Sequence, residues 1–137
     1  GVFVGLRLEH RKANMDRAVI EGVTFALKES FDLIRDLGVQ INSVKITGGG
    51  AKSTIWAQMI ADIMNVDVVT IKIEEGPALG AAILAMVGAK AYINVEEACK
   101  NIIEINEIFI PNVENTDSYM VKYNKFRNIY PTIKNLF

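Results

Sequence analysis

Apolar residues along this chain follow two periods. From Asn14 to about Leu37 they fall at Val19, Val23, Ala26, Leu27, Phe31, Ile34 and Leu37. That is a wide helical stripe, so a largely buried helix is expected there, capped by Asn14 and stopped at Gly38. Ser43–Thr47 reads as a strand, Gly48–Gly50 as a turn, and Ser53 as the cap of a helix to about Met64 with Trp56, Met59, Ile60 and Ile63 inward. Residues 66–71 are rich in β-branched side chains and read as a second strand. Pro77 suits the first turn of a third helix reaching about Val87. Its Ala78, Gly80, Ala81, Ala82 and Ala85 would let a neighbour pack very close. A short helix near Val95–Ile103, an extended Ile108–Pro111 and a last helix from about Thr116, kinked or ended by Pro131, complete the pattern.

Alternation of strand and helix implies an α/β fold with parallel strands. Two strands make a marginal sheet. A third is expected either from residues 2–8, a short strand or an extended arm, or from polypeptide outside these residues.

The segment Ile46-Thr-Gly-Gly-Gly-Ala-Lys-Ser-Thr-Ile-Trp56 holds the most chemistry. A strand that runs through glycines into a helix lets a ligand approach bare backbone and meet N–H groups at the helix start. Such a place suits a nucleotide or another anion, although three glycines also occur in plain turns. The loop matches neither common phosphate motif. Ala51 stands where a Walker A loop needs glycine before Lys-Ser, and Ser53 stands at the sixth position of a dinucleotide fingerprint.

Composition narrows the choices. The chain has 137 residues, enough for one core, and is 50% hydrophobic, which argues against disorder. Fifteen basic and sixteen acidic residues are interspersed, giving a net charge of −1 and no basic stripe for nucleic acid. No apolar run is long enough to span a membrane. The single cysteine, Cys99, fits a reducing compartment and a small buried apolar role. The beginning Gly1-Val-Phe-Val-Gly-Leu looks like a cut, and the apolar composition suggests that some surface is buried against further chain or a partner.

Other candidates have simpler explanations. Gln58 and Asp62, four apart, read as a solvated helix face with a local hydrogen bond. Glu74 and Glu75 suit a helix start, where carboxylates are favourable; a paired-acid catalytic site is the unsupported alternative. His10, the only histidine, is expected at the surface among Glu9 and Arg11, so a histidine-based triad has nothing to build on. Tyr119, Tyr123, Phe126 and Tyr130 fall near helical spacing and read as core or interface.

Four segments carry a resemblance to a known family. Gly1-x-Phe3-x-Gly5-Leu6, then seven residues, then Asn14-Met15-x-x-Ala18-Val19-Ile20-Glu21 resembles the second signature of the FGGY carbohydrate kinases. Gly48-Gly-Gly-Ala-Lys-Ser-x-x-Trp56-x-Gln58-x-x-x-Asp62 is similar to that family's adenosine loop and following helix. Gly76-Pro-Ala-Leu-Gly-Ala-Ala82 resembles the form found in its pentulose kinases, where glycerol kinases usually have Thr-Ala-Leu-Gly-Ala-Ala. The ending Tyr130-Pro-Thr-Ile-Lys134 fits the same group.

The resemblance implies that residues 1–137 are the C-terminal portion of the second domain of such a kinase, part of an actin-like, ribonuclease-H-like fold with helices packed on a small sheet. It implies that the phosphate hairpins, sugar site and catalytic aspartate lie outside these residues, so no catalytic residue and no metal ligand is assigned here. It implies in-line transfer of the γ-phosphoryl of ATP, with Mg2+ held mainly by the nucleotide and by other parts of the protein, to a pentulose, converting D-xylulose to D-xylulose 5-phosphate. Gly48, Gly49 and Gly50 would face adenine and ribose, and Ser53 would reach the adenine. A cytoplasmic enzyme, a homodimer when complete, is expected, and the 137-residue chain alone is expected to be inactive. An open sheet edge would favour its self-association. Two other readings stand beside this one: a glycerol or gluconate kinase of the same family, and a non-catalytic nucleotide-binding or assembly module.

Overall fold

The computed structural model describes residues 1–73 and 76–136. The elements are α1 (Lys12–Asp36), β1 (Ser43–Ile46), a 3-10 turn (Gly49–Lys52), α2 (Thr54–Met64), β2 (Asp67–Ile71), α3 (Gly76–Gly88), α4 (Val95–Ile102), β3 (Ile105–Phe109), α5 (Val113–Ile133) and a final 3-10 turn (Lys134–Leu136).

The sheet has three strands in the order β1-β2-β3. Strands β1 and β2 are parallel, from Ser43 opposite Asp67 to Ile46 opposite Thr70, with α2 as their crossover. The third strand corrects the expectation that it would come from residues 2–8 or from polypeptide outside these residues. Residues 2–8 form no strand and are exposed along their length. Instead β3 adds antiparallel to β2, with Val68 opposite Phe109 and Val69 opposite Ile108, and an irregularity between Val69 and Ile71. At that irregularity the Glu107 N–H donates to Thr70 Oγ1 at 3.1 Å, so the displaced backbone keeps a partner.

Helix α2 lies between the sheet and the helical layer. Ile60, Ala61 and Met64 join Phe31, Val66 and Val68 in one cluster, while Met59 and Ile63 join Phe25, Tyr119 and Tyr123 in another. Residues 59–64 are buried without interruption, as expected of a helix that is covered all round. Its ends fit that reading: Ser53 Oγ accepts from Trp56 N–H at 3.3 Å, and Asn65 closes the helix in the left-handed conformation.

Asp62 departs from its expected place on a solvated face. It is 3% exposed. Its Oδ1 accepts from Gln58 Nε2 at 2.7 Å and from the Asn112 N–H at 2.9 Å; its Oδ2 accepts from Asn115 Nδ2 at 2.9 Å. Gln58 Nε2 also donates to the Ile110 carbonyl at 2.8 Å. The carboxylate is therefore a latch holding α2 to the start of α5. The same latch explains why α5 begins before Thr116: Asn112 caps it, accepting from the Asn115 N–H, while its own N–H is held by Asp62. At the other end α5 runs two residues past Pro131, so the proline does not end it.

Three further expectations change. Asn14 is inside α1, not its cap: its Oδ1 accepts from the Arg11 N–H at 2.9 Å, so it serves the helix start from the third position. Helix α1 is not largely buried, since only Thr24, Phe25, Lys28 and Phe31 are enclosed against α2 and α5, while Val19, Val23, Leu27 and Ile34 face outward. The small residues of α3 do not meet a close neighbour: Ala78, Gly80, Ala81, Ala82 and Ala85 are exposed, and nothing lies within 4 Å of a Cβ built at Gly80. Cys99 is half-buried and His10 exposed. Tyr119 and Tyr123 are in the core, Phe126 packs at its edge, and Tyr130 is exposed. The proposed cap or acid pair at Glu74 and Glu75 lies outside the described residues.

Tyr123 sits between α5 and α1. Its hydroxyl donates to Asp32 Oδ2 at 3.0 Å, and the buried Lys28 ammonium reaches Asp32 Oδ1 at 3.0 Å. Burial first, and the Asp32 carboxylate second, push the phenol up to about 12.

Two outcomes are expected. Asp62→Ala removes the acceptor for three donors and should lower the stability of the chain by about 2–4 kcal/mol in urea unfolding, with Asp62→Asn in between. A value within experimental error of wild type would mean that the latch contributes nothing. For Tyr123 the folded value lies above the unfolded one, near 10, so the folded state keeps a proton that the unfolded chain releases. Stability from this group is complete below about pH 10 and is lost as pH rises toward 12. Tyr123→Phe should flatten that alkaline loss, which unfolding midpoints taken at intervals from pH 9 to 12 would reveal.

Candidate functional site

The C-terminal ends of parallel strands are where open α/β sheets bind ligands. Here β1 ends at Ile46, and the chain passes through Thr47 and Gly48 into the 3-10 turn. Gly48 has φ 83°, a conformation that suits glycine. Its carbonyl accepts from the Ala51 N–H at 3.0 Å, and the Gly50 carbonyl accepts from the Ser53 N–H at 3.2 Å, so the turn is closed on itself. Helix α2 starts directly after it.

The structure brings Gly48, Gly49, Gly50 and Ser53 into one loop, but they differ in what surrounds them. Nothing lies within 4 Å of a Cβ built at Gly48 or Gly49, so this stretch offers bare, accessible backbone. Gly50 is the reverse: a Cβ there would lie 2.8 Å from Trp56 Cζ3 and 3.1 Å from Cε3. Ser53 Oγ is occupied as an acceptor by the α2 cap, which leaves its hydroxyl proton to donate outward from an exposed position.

A second helix start faces this loop. Gly76, at the beginning of α3, meets Thr47: a Cβ at Gly76 would stand 2.9 Å from Thr47 Oγ1. The close approach holds the beginning of α3 against the exit of β1. The loop and the end of β2 enclose a recess of about 260 Å3, bordered by Thr47, Gly48, Lys52, Thr70, Lys72 and Asn106. Lys72 reaches across to Glu104 Oε2 at 2.6 Å; that hydrogen bond and the attached charge hold the Glu104 carboxyl below the usual carboxylate range. The Lys72, Asn106 and Thr47 contributions, and the role of Trp56, were not among the expected site residues. From the sequence Trp56 reads only as an inward position of α2; its place in the first turn is what lets the ring reach back to the loop.

The arrangement can receive a flat, polar molecule against Gly48–Gly49 with a helix start on either side. Among the described residues no group of three or more His, Cys, Asp or Glu side chains could hold a metal ion. Gln58 and Asp62 serve the latch to α5. Among the described residues no helix is long and apolar enough to cross a membrane.

Known proteins share this architecture. The profile of the FGGY family of carbohydrate kinases, C-terminal domain, matches residues 1–89. The chain is 43% identical over 136 residues to a xylulose kinase of Staphylococcus epidermidis and 38% identical over 136 residues to a xylulose kinase of Bacillus subtilis, in each case across 99% of this chain and 27% of the relative. The solved structure of ligand-bound xylulose kinase from Lactobacillus acidophilus superposes with a TM-score of 0.88 at 28% identity, covering 98% of this chain and 27% of that one. The chain thus spans about a quarter of the length of the relatives it matches, and its fold is that of the actin-like sugar kinases. With the family profile spread over α1, the glycine loop, α2, β2 and α3, the chain belongs to the FGGY family of carbohydrate kinases.

Proposed function

We propose that residues 1–137 are the C-terminal portion of the second domain of an ATP-dependent pentulose kinase, converting D-xylulose to D-xylulose 5-phosphate, and that they form the adenosine side of its nucleotide site. One observation carries this reading: the loop at the end of β1 leaves the Gly48–Gly49 backbone open opposite the glycine start of α3, in a chain whose relatives are xylulose kinases. Adenine and ribose lie against Gly48 and Gly49, where any side chain would fill their space. Gly50 lends shape rather than contact. Ser53 donates its hydroxyl proton to a ring nitrogen of the adenine while its oxygen keeps the α2 cap.

Bound Mg-ATP supplies the γ-phosphoryl group, which moves in line to a sugar hydroxyl. The described residues fit the base end of that nucleotide; the metal would be held by the phosphates and by protein outside this chain. Binding energy gathered at the adenosine serves to place the reacting end correctly, where most phosphoryl-transfer catalysis arises. A cytoplasmic enzyme is part of the proposal, since ATP and sugar phosphates are the metabolites it handles. So are association of the isolated chain through its open sheet edges and a homodimer for the complete enzyme. Glycerol and gluconate kinases remain the alternatives within the family, with Gly76-Pro77 and the xylulose kinase relatives favouring the pentulose.

Two experiments test the proposal. Gly49→Val should fold normally, because the space beside Gly49 is empty, yet weaken ADP or ATP binding by calorimetry at least about tenfold, or 1.4 kcal/mol. Equal binding by both proteins would remove Gly49 from the site. The complete gene product carrying these residues, given a panel of D-xylulose, L-xylulose, glycerol and gluconate, should show its highest kcat/KM with D-xylulose. Preference for glycerol or gluconate would replace the pentulose assignment. The 137-residue chain alone should show no turnover above background.

A further inference from the structure

Trp56 bridges the two halves of the core. Its indole packs against the cluster around Ile60 and Val68 and also against the cluster around Phe25 and Ile63. Nε1 donates to Thr24 Oγ1 at 2.9 Å, and that hydroxyl, buried in α1, donates onward to the Ile20 carbonyl at 2.8 Å. The tether leaves the ring one orientation, because turning it would strand a polar N–H without a partner. Held this way, the six-membered edge of the indole lies under Gly50, so close that a Cβ there would stand 2.8 Å from Cζ3. Gly50 does not have a positive φ, so its backbone would accept a side chain; the ring alone excludes one.

We propose that Trp56 is the positioning residue of the nucleotide loop: the indole, tethered to Thr24, is the floor on which Gly50 rests and sets where the Gly48–Gly49 backbone meets the nucleotide. The proposal rests on reading Gly48–Ser53 as the nucleotide loop. Trp56 touches no ligand; it acts through Gly50. The loop's own hydrogen bonds fix its internal shape but not its height above α2, and a rigid ring spanning α2 and α1 supplies that constraint. Removing the ring leaves the loop closed but free to sink toward the vacated space, away from the ligand.

The test uses the complete gene product carrying these residues, with ATP and ADP as probes. Trp56→Leu should raise the KM for ATP on the order of tenfold or more while leaving the sugar KM unchanged, and Trp56→Phe, which restores a flat ring, should recover much of the loss. Gly50→Ala should weaken ADP binding strongly beside Trp56 and much less in the Trp56→Leu background, because the obstructing ring is gone. If Trp56→Leu fails to fold, Thr24→Val removes only the tether and should still raise the ATP KM. An unchanged ATP KM in the folded variants overturns the proposal. So does a Gly50→Ala penalty that is the same in both backgrounds, or a parallel loss of kcat and both KM values. Wild-type protein that binds no ADP, or that binds it as well after Gly49→Val, overturns the nucleotide-loop reading and this inference together. Binding lost in Gly49→Val but intact in Trp56→Leu overturns this inference alone.

Discussion

The burial of α2 on every side is the constraint from which the rest of the structure follows. A helix with residues 59–64 enclosed needs a sheet on one face and helices on the other, and this chain supplies them from both directions in sequence. Helix α1 comes before it and α5 some fifty residues after it. Each is joined to α2 by a buried polar bond as well as apolar packing: Trp56 to Thr24, and Asp62 to Asn112 and Asn115. Apolar contact alone would let helices slide or rotate at small cost. A buried donor or acceptor that loses its partner costs far more than a shifted methyl contact, so these bonds select one register.

That register matters because the candidate site is an extension of α2. The loop Gly48–Ser53 runs into its first turn, and Ser53 belongs to both. Each glycine answers a different demand. Gly48 bends the chain through a positive φ, Gly49 leaves space, and Gly50 makes room for a tryptophan. A run of three glycines therefore encodes a turn, an opening and a packing contact in consecutive positions. A plain turn would require only the first.

Features governed by local pattern were legible from the chain itself. Helix α2 with its Ser53 cap, the strands β1 and β2, and the start of α3 near Pro77 are set by periodicity and by chemistry within four residues. The misses involve partners distant in sequence. Asp62 has a polar neighbour at Gln58, which suggests a solvated face; the Asn112 and Asn115 groups that draw it into the interior lie about a full domain layer away in the chain. Strand β3 presents exposed residues over most of its length, so it lacks the alternation that marks a half-buried strand, and it exists because β2 offers an edge. Asn14 gave the right signal one turn off: an Asn at the third helical position also satisfies an N–H at the helix start, but it is that of the cap residue Arg11 rather than one inside the first turn. The glycine loop was legible as a turn leading into α2, but the packing of Trp56 beneath it was not, because its tether is a threonine on another helix.

The polar and apolar accounts of this chain close differently. Among the described residues, every buried side-chain nitrogen and oxygen has a hydrogen-bond partner. The apolar surface is not so contained. Val19, Val23, Leu27, Leu33 and Ile34 of α1 and Leu84 of α3 face outward, and residues 2–8 lie exposed with Val2, Phe3, Val4 and Leu6. These facts concern different parts of the molecule. The interactions that shape the Gly48–Ser53 loop, from Thr24 through Trp56 to Gly50 and from Thr47 to Gly76, are all made within the chain. The uncovered apolar residues named here lie on the outer sides of α1 and α3 and in residues 2–8. A loop whose shape is set by satisfied internal contacts needs no outside partner to be correctly formed, whereas exposed apolar helix faces lower the free energy of the system whenever something covers them. It follows that the geometry of the Gly48–Ser53 loop and the association behaviour of the chain are separable properties. Polar substitutions on the outer face of α1, at Val23 or Leu27, should alter the second and leave the first unchanged.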